Sequence, residues 1–364
     1  MTWQISKPNV FVIAFGLTLP LGLPACQSDV ALPHSATGTA ATNLVTIAGA
    51  TMGTTYHVKL MDPQGQKSTN DWQQKFDTQL EQINQLMSTY RPDSEISRFN
   101  TLQSTDWFPV SEETLSVITK AQQISKLTAG AFDVTVGPLV DLWNFGPNKK
   151  TRAIPDDAAI QNILQQIGYQ QLEVRAAPPA LRKTVPGLRC DLSAIAKGYA
   201  VDQLCELIEA EQIRDYMVEI GGEVRTAGTK AEGNPWLLGI AAPTENQIAL
   251  QRVIQMTDQA LATSGNYRNY YEIDGKRYSH TIDPRTGQPV EFEMAAVSVL
   301  ADRCMDADAW ATAIMVLGPE AGYNLAVEQH LEVFLLLRQD DKIIERMTPG
   351  FGKQLVDRTR KRVN

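Results

Sequence analysis

The segment Met217-Val218-Glu219-Ile220-Gly221-Gly222-Glu223-Val224-Arg225-Thr226-Ala227-Gly228 constrains the architecture more than any other stretch of the chain. Two strand-like runs flank a glycine pair short enough to be a hairpin turn, so the runs must lie antiparallel. The same pattern occurs from Val45 to Leu60, where a Gly-bearing turn joins two runs and the second alternates at Tyr56, Val58 and Leu60. Further strands are predicted at Trp236 to Ala241, Ala260 to Ser264, Tyr267 to Ile273, Lys276 to Ser279 and Ala295 to Leu300, with a closing hairpin from Val333 to Leu337 and Ile343 to Glu345. Helical spacing of Phe76, Leu80, Ile83 and Met87 predicts a helix over Asp71 to Met87, and Ser111 is a suitable cap for a second one running to Leu127. Other helices are expected at Ala153 to Gly168 from a Pro155 start, Tyr199 to Ile208, Met305 to Val316 and Glu320 to Gln329, with Leu188 to Leu192 read as a strand. These helices do not alternate regularly with the strands, which excludes a doubly wound parallel sheet. The expectation is an α+β fold: a single large domain with mixed, largely antiparallel sheets and packed helices.

Residues 1–26 differ from the rest. They hold no acidic residue, a single Lys7, and an apolar run from Val10 to Leu23 that ends at Leu23-Pro24-Ala25-Cys26. Gly16, Pro20 and Gly22 interrupt a run already too short for a spanning helix, and a small residue precedes Cys26, so the segment reads as a lipoprotein signal peptide with Cys26 lipidated. An uncleaved anchor or a plain secretory signal is the alternative. Residues 27–43, rich in Ala, Ser, Thr and Pro, read as a flexible tether, and 44–364 as the folded domain. The formal charge of −8 and pI of about 5.2 argue against a nucleic-acid partner, which would need a basic face. Cys190, Cys205 and Cys304 lack CxxC spacing and are read as buried thiols.

Three stretches carry the chemistry. Ser279-His280-Thr281-Ile282-Asp283-Pro284-Arg285-Thr286-Gly287 puts an imidazole, a carboxylate and a guanidinium on a turn-rich loop, in which Asp283 and Arg285 are expected to pair. His280 could be a base, a metal ligand or a structural histidine. Asp308 and Thr312 stand four apart on an Ala-rich helix, so their oxygens share one face, suited either to Mg²⁺ or to a local back-bond from Thr312 to the Asp308 carbonyl. Asp191-Leu192-Ser193-Ala194-Ile195-Ala196-Lys197-Gly198-Tyr199 sits at a strand-to-helix transition where backbone groups can approach a ligand, or where Asp191 or Ser193 simply caps a helix. The sequence has neither an HExxH nor a G-x-S-x-G motif, which argues against a zincin or an α/β-hydrolase.

In their order, these stretches resemble the ApbE family of FAD:protein FMN transferases from about Leu44 to Val333. The resemblance also rests on Met52-Gly53-Thr54, Ser88-Thr89-Tyr90, Glu95-Ile96-Ser97-Arg98-Phe99-Asn100, Phe132-Asp133-Val134-Thr135-Val136-Gly137-Pro138-Leu139, Glu219-Ile220-Gly221-Gly222 and Thr263-Ser264-Gly265-Asn266-Tyr267. It implies an enzyme that binds FAD, splits its pyrophosphate and transfers FMN to a Thr or Ser hydroxyl of an acceptor flavoprotein, such as a membrane redox-complex subunit, releasing AMP. By the family pattern, Asp308, Thr312 and the carbonyl of Ala194 would hold Mg²⁺. Met52, Tyr90, Ala131, Phe132, Asp133, Asp191, Lys197 and Ile282 would line the FAD site, and His280 would be the general base. The implied location is the periplasmic side of a bacterial membrane, reached through the lipid on Cys26.

Overall fold

The computed structural model describes residues 11–12, 44–62, 65, 67–147, 153–243, 249–266, 269–290, 293–340 and 342–356. Cys26 and the expected tether at 27–43 lie outside the described residues, as does Tyr267. Of the expected signal segment, Phe11–Val12 is described and pairs parallel to Leu238 and Gly239.

Eight strands form the central sheet: β1 (Leu44–Thr51), β2 (Thr54–Met61), β3 (Tyr216–Ile220), β4 (Glu223–Ala227), β5 (Gln259–Gly265), β6 (Met294–Ala301), β7 (Glu332–Gln339) and β8 (Lys342–Met347). Their order in the sheet follows their order in the chain, and every neighbouring pair is antiparallel. Long insertions interrupt this simple meander. Residues between β2 and β3 carry the helices α1 (Thr69–Met87), α2 (Glu112–Leu127) and α3 (Ala196–Ala210), and α4 (Cys304–Leu317) lies between β6 and β7.

Alternation along β2 buries Tyr56, Val58 and Leu60 against a core shared with Phe76, Leu80 and Ile83 of α1 and with Ala309 and Ala313 of α4. Small residues on α4 allow it to sit close over the sheet, where Ala307, Ala309, Ala311 and Ala313 are all buried. A second core, with Met217, Val224, Trp236, Leu238 and Leu261, covers the opposite face. The sheet is therefore covered on both sides, which is why β6 is buried from Met294 through Leu300 rather than alternating.

Several boundaries differ from the sequence reading. The segment Glu95–Thr101, for which no element was expected, is a helix, capped by the Ser94 hydroxyl, which accepts from Ser97 N. The helix expected from Pro155 begins at Asp157, with Asp156 as its cap. Leu188 to Leu192 is not a strand: the side-chain amide of Asn100 takes both backbone groups of Cys190, donating to its carbonyl and accepting from its N–H, and so replaces a strand partner. Cys190, Cys205 and Cys304 are free and buried, as expected.

Candidate functional site

Two tight turns lie at one end of the sheet. Met52-Gly53 joins β1 to β2 with φ of 49° and 74°, and Gly221-Gly222 joins β3 to β4 with φ of 62° and 110°. Positive φ at both central residues matches the twist of a two-residue hairpin, but a methionine in that region is strained. A Cβ on Gly221 would stand 2.8 Å from Cγ2 of Thr54, so the two turns are packed side by side. Beside them opens a cleft of about 740 Å³, lined by Met52, the end of α1 from Ile83 to Met87, the turn at 88–91, the start of α3 and His280. The Tyr90 ring, 65% exposed, stands at its mouth.

At the inner wall, α3 and α4 approach as closely as a glycine permits. A Cβ on Gly198 would lie 2.3 Å from the carbonyl oxygen of Cys304 and 2.8 Å from Cβ of Asp308. One helical turn further along α3, the fully buried Asp202 accepts from the N–H groups of Cys304 and Met305, both at 3.0 Å, and so caps α4 from the neighbouring helix. This contact sets Asp308 against the first turn of α3. The Gly198 N–H donates to Asp308 Oδ2 at 2.9 Å instead of to the carbonyl four residues back, and among the described residues no backbone N–H reaches the Ala194 carbonyl. Asp191 and Ser193 do not cap α3, whose cap position is Ile195 without a side-chain bond; the Asp191 carboxylate accepts from Ser193 N instead.

Lys197 points into the same place. Its ammonium lies 3.5 Å from Glu223 Oε1 and 3.7 Å from Asp308 Oδ1, and donates to the Ser193 carbonyl at 3.3 Å. Burial opposes the lysine's charge, but Asp308 and Glu223 together hold its pKa above the usual range. Burial pushes both carboxylates upward, and the ammonium draws them back. Thr312 is one turn along α4 from Asp308 and, among the described residues, forms no back-bond to the Asp308 carbonyl.

His280 reaches the cleft from the loop between β5 and β6. Asp283 holds that loop closed, accepting from the Arg285 guanidinium at 2.9 and 2.8 Å and from Arg285 N, which is the expected ion pair. The loop is fastened to the first insertion, where Trp143 Nε1 donates to the Gly287 carbonyl at 2.8 Å and Ile282 packs with Leu139, Trp143, Ile160 and Tyr278. His280 Nδ1 is 3.0 Å from the carbonyl oxygen of Asn269, which can only accept. Nδ1 therefore carries the hydrogen and Nε2 keeps its lone pair. Burial lowers the pKa of His280, and Lys197 adds to the effect against the Asn269 bond.

The order of these segments is that of a known family. A model of the ApbE family matches residues 52–335. The chain belongs to the ApbE family. Among its relatives, an FAD:protein FMN transferase of Vibrio cholerae is 43% identical over 307 residues, covering 84% of this chain and 91% of that protein. Another of the same name from Escherichia coli K12 is 40% identical over 320 residues, covering 87% and 91%. Among solved structures, flavin transferase ApbE from Vibrio cholerae matches with a TM-score of 0.80 at 41% identity, covering 86% of this chain and 100% of that one. The apo flavinyl transferase ApbE of Pseudomonas stutzeri gives 0.80 at 35% identity, covering 86% and 97%.

In this ApbE chain, Met52, Tyr90, Lys197 and His280 line one cleft, with Asp308 behind Lys197. Ala131, Phe132 and Ile282 are buried and are not among the residues that line the cleft. The carboxylate of Asp133 is occupied by Thr135 N, Thr135 Oγ1 and Tyr169 N at 2.8, 2.7 and 2.6 Å, a loop-organising position. Sequence reading missed Glu223. The available signal was its place directly after the glycine pair: the partner of Glu223 across the turn is Ile220, a residue of the helix-side core.

Proposed function

We propose that this chain transfers FMN from FAD to a Thr or Ser hydroxyl of an acceptor flavoprotein. The acceptor oxygen forms a bond to the FMN phosphorus, the anhydride P–O bond breaks, and AMP leaves. The names of the relatives support flavin transfer from FAD to a protein. The observation that carries the residue-level reading is that an unprotonated imidazole nitrogen and an ammonium line one cleft, with a buried carboxylate 3.7 Å behind the ammonium, the three drawn from three separate insertions.

His280 Nε2 takes the proton of the acceptor hydroxyl, since its lone pair is free and its pKa is held below the ordinary imidazole value. Lys197 supplies positive charge to the phosphates from a fixed position, and Tyr90 offers a ring for stacking at the cleft mouth. Asp308, Thr312 and the Ala194 carbonyl would hold Mg²⁺. They fit it as hard oxygens, and the Ala194 carbonyl has no helical donor to compete for its lone pairs. Mg²⁺, when bound there, neutralises charge on the pyrophosphate.

The proposed location is the periplasmic side of a bacterial membrane, with the folded domain tethered through lipid on Cys26. Among the described residues no helix is long and apolar enough to cross a membrane. The deciding experiment mixes the chain with FAD, Mg²⁺ and an acceptor such as a membrane redox-complex subunit, then reads in-gel flavin fluorescence and AMP. Covalent flavin with stoichiometric AMP is expected. FMN and AMP without labelled acceptor would instead show a pyrophosphatase, and bound but intact FAD a non-catalytic binding protein.

A further inference from the structure

Glu223 is a buried carboxyl group that the reaction above does not use. It is 2% exposed, and among the described residues its Oε2 has no hydrogen-bond partner, whereas buried carboxylate oxygens are normally satisfied. The Lys197 ammonium has three donors, and its hydrogen bond to the Ser193 carbonyl occupies one. The remaining charge is shared between Glu223 Oε1 at 3.5 Å and Asp308 Oδ1 at 3.7 Å, neither close enough for a tight bond. The ammonium thus stands between two carboxylates, one of which has a spare oxygen.

We propose that Glu223 is a positioning residue that draws the Lys197 ammonium off Asp308, leaving that carboxylate to a divalent cation. The inference rests on the reading of Asp308 as a metal ligand. A lysine and a metal ion contending for one buried carboxylate would weaken each other, and a second carboxylate on the far side of the lysine removes the contest. Glu223 Oε1 faces the Lys197 ammonium at 3.5 Å, on the side away from Asp308 Oδ1 at 3.7 Å. The Gly221-Gly222 turn fixes where that second carboxylate stands, because Glu223 is the first residue of β4. Glu223→Gln would keep the shape and remove the carboxylate, letting the ammonium close on Asp308.

The test uses Mn²⁺, which shares the preference of Mg²⁺ for octahedral oxygen sites, titrated into the full chain while the signal of free Mn²⁺ is followed by electron paramagnetic resonance. Glu223→Gln is expected to weaken Mn²⁺ binding by about tenfold, the lower end of the effect of removing outer partners of metal ligands. Lys197→Gln alone is expected to tighten binding, since it removes the competitor. In the Lys197→Gln background, adding Glu223→Gln is expected to change affinity by less than about twofold, as required of a residue acting only through the lysine. A comparable loss in both backgrounds would mean that Glu223 acts on the metal directly, and no loss in either would mean that it does not act at all; either result overturns the proposal. Weaker binding by Lys197→Gln also overturns it, and this single variant stands even if Glu223→Gln fails to fold. Failure of the underlying reading looks different: Asp308→Ala would then bind Mn²⁺ as the unaltered chain does, or the unaltered chain would bind none, and the inference would fall with it.

Discussion

The N–H of Gly198 donates to Asp308 Oδ2 at 2.9 Å, so the residue after the cleft lysine is joined directly to the carboxylate the lysine faces. Two helices from different insertions meet at that bond. Its consequence is that the electrostatics of the cleft and the packing of α3 on α4 cannot be varied independently.

Gly198→Ala should therefore disturb both. The added methyl would fall 2.3 Å from a backbone carbonyl oxygen, an atom that cannot rotate away. We expect a loss of about 1–3 kcal/mol in urea unfolding, the usual range for overpacking, accompanied by loss of flavin transfer. Gly53→Ala is the matched control. Among the described residues nothing lies within 4 Å of its Cβ position, and its φ of +74° opposes the change. Its cost should be near 1 kcal/mol, set by the backbone alone.

Asp308→Asn separates the two tasks of this residue. The amide oxygen can still accept from Gly198 N, while the charge that faces Lys197 is lost. Near-native unfolding with loss of Mg²⁺-dependent transfer is expected, measured by urea titration and in-gel flavin fluorescence. Normal transfer with normal metal dependence would reject Asp308 as a ligand.

Much of the fold was legible because its signals are local. The hairpin at Gly221-Gly222, the buried stripe of α1 and the Ser111 cap each follow from a few neighbouring residues. The beginning of α3 was not legible. It starts at Ala196 with no side-chain cap, and its first turn is held by Asp308 from a helix more than a hundred residues away. The sequence offered Asp191 or Ser193 as its cap, and neither fills that role. Glu223 was missed for a related reason, since a glutamate in a strand reads as a solvent-facing residue unless its cross-strand register is fixed. His280 was the opposite case: the density of functional groups in its loop was visible, and the Asp283–Arg285 pair formed as expected.

Asp202 is the expected structural centre of the helix pair. It is fully buried, caps α4 through two N–H groups, and pairs with Arg225 at 3.1 Å and Arg303 at 3.5 Å. Asp202→Ala leaves the partly buried Arg225 without this partner and two helix-terminal amides without an acceptor. Removing one side of such a buried pair costs about 3–5 kcal/mol, and we expect a loss of that order in urea unfolding. Arg303→Ala should cost far less, because that side chain is 44% exposed and its pairing is screened by solvent.

His280 gives the sharpest dependence on pH. Its pKa is lowered from the ordinary 6.5, first by burial and then by the neighbouring Lys197, so the imidazole is already neutral at pH 7. A base must be unprotonated to act, so transfer should be lost as pH falls through the lowered value, and the acidic limb of the kcat/KM profile should lie below 6.5. His280→Ala should abolish that limb and reduce transfer by roughly 10²–10⁴-fold, the usual worth of general base catalysis, while FAD binding survives. Lys197→Gln should move the limb in the opposite sense, upward, because it removes a positive charge that disfavours the imidazolium. An acidic limb that stays in place in Lys197→Gln would mean that another group is titrating, and unchanged transfer by His280→Ala would exclude the histidine as base.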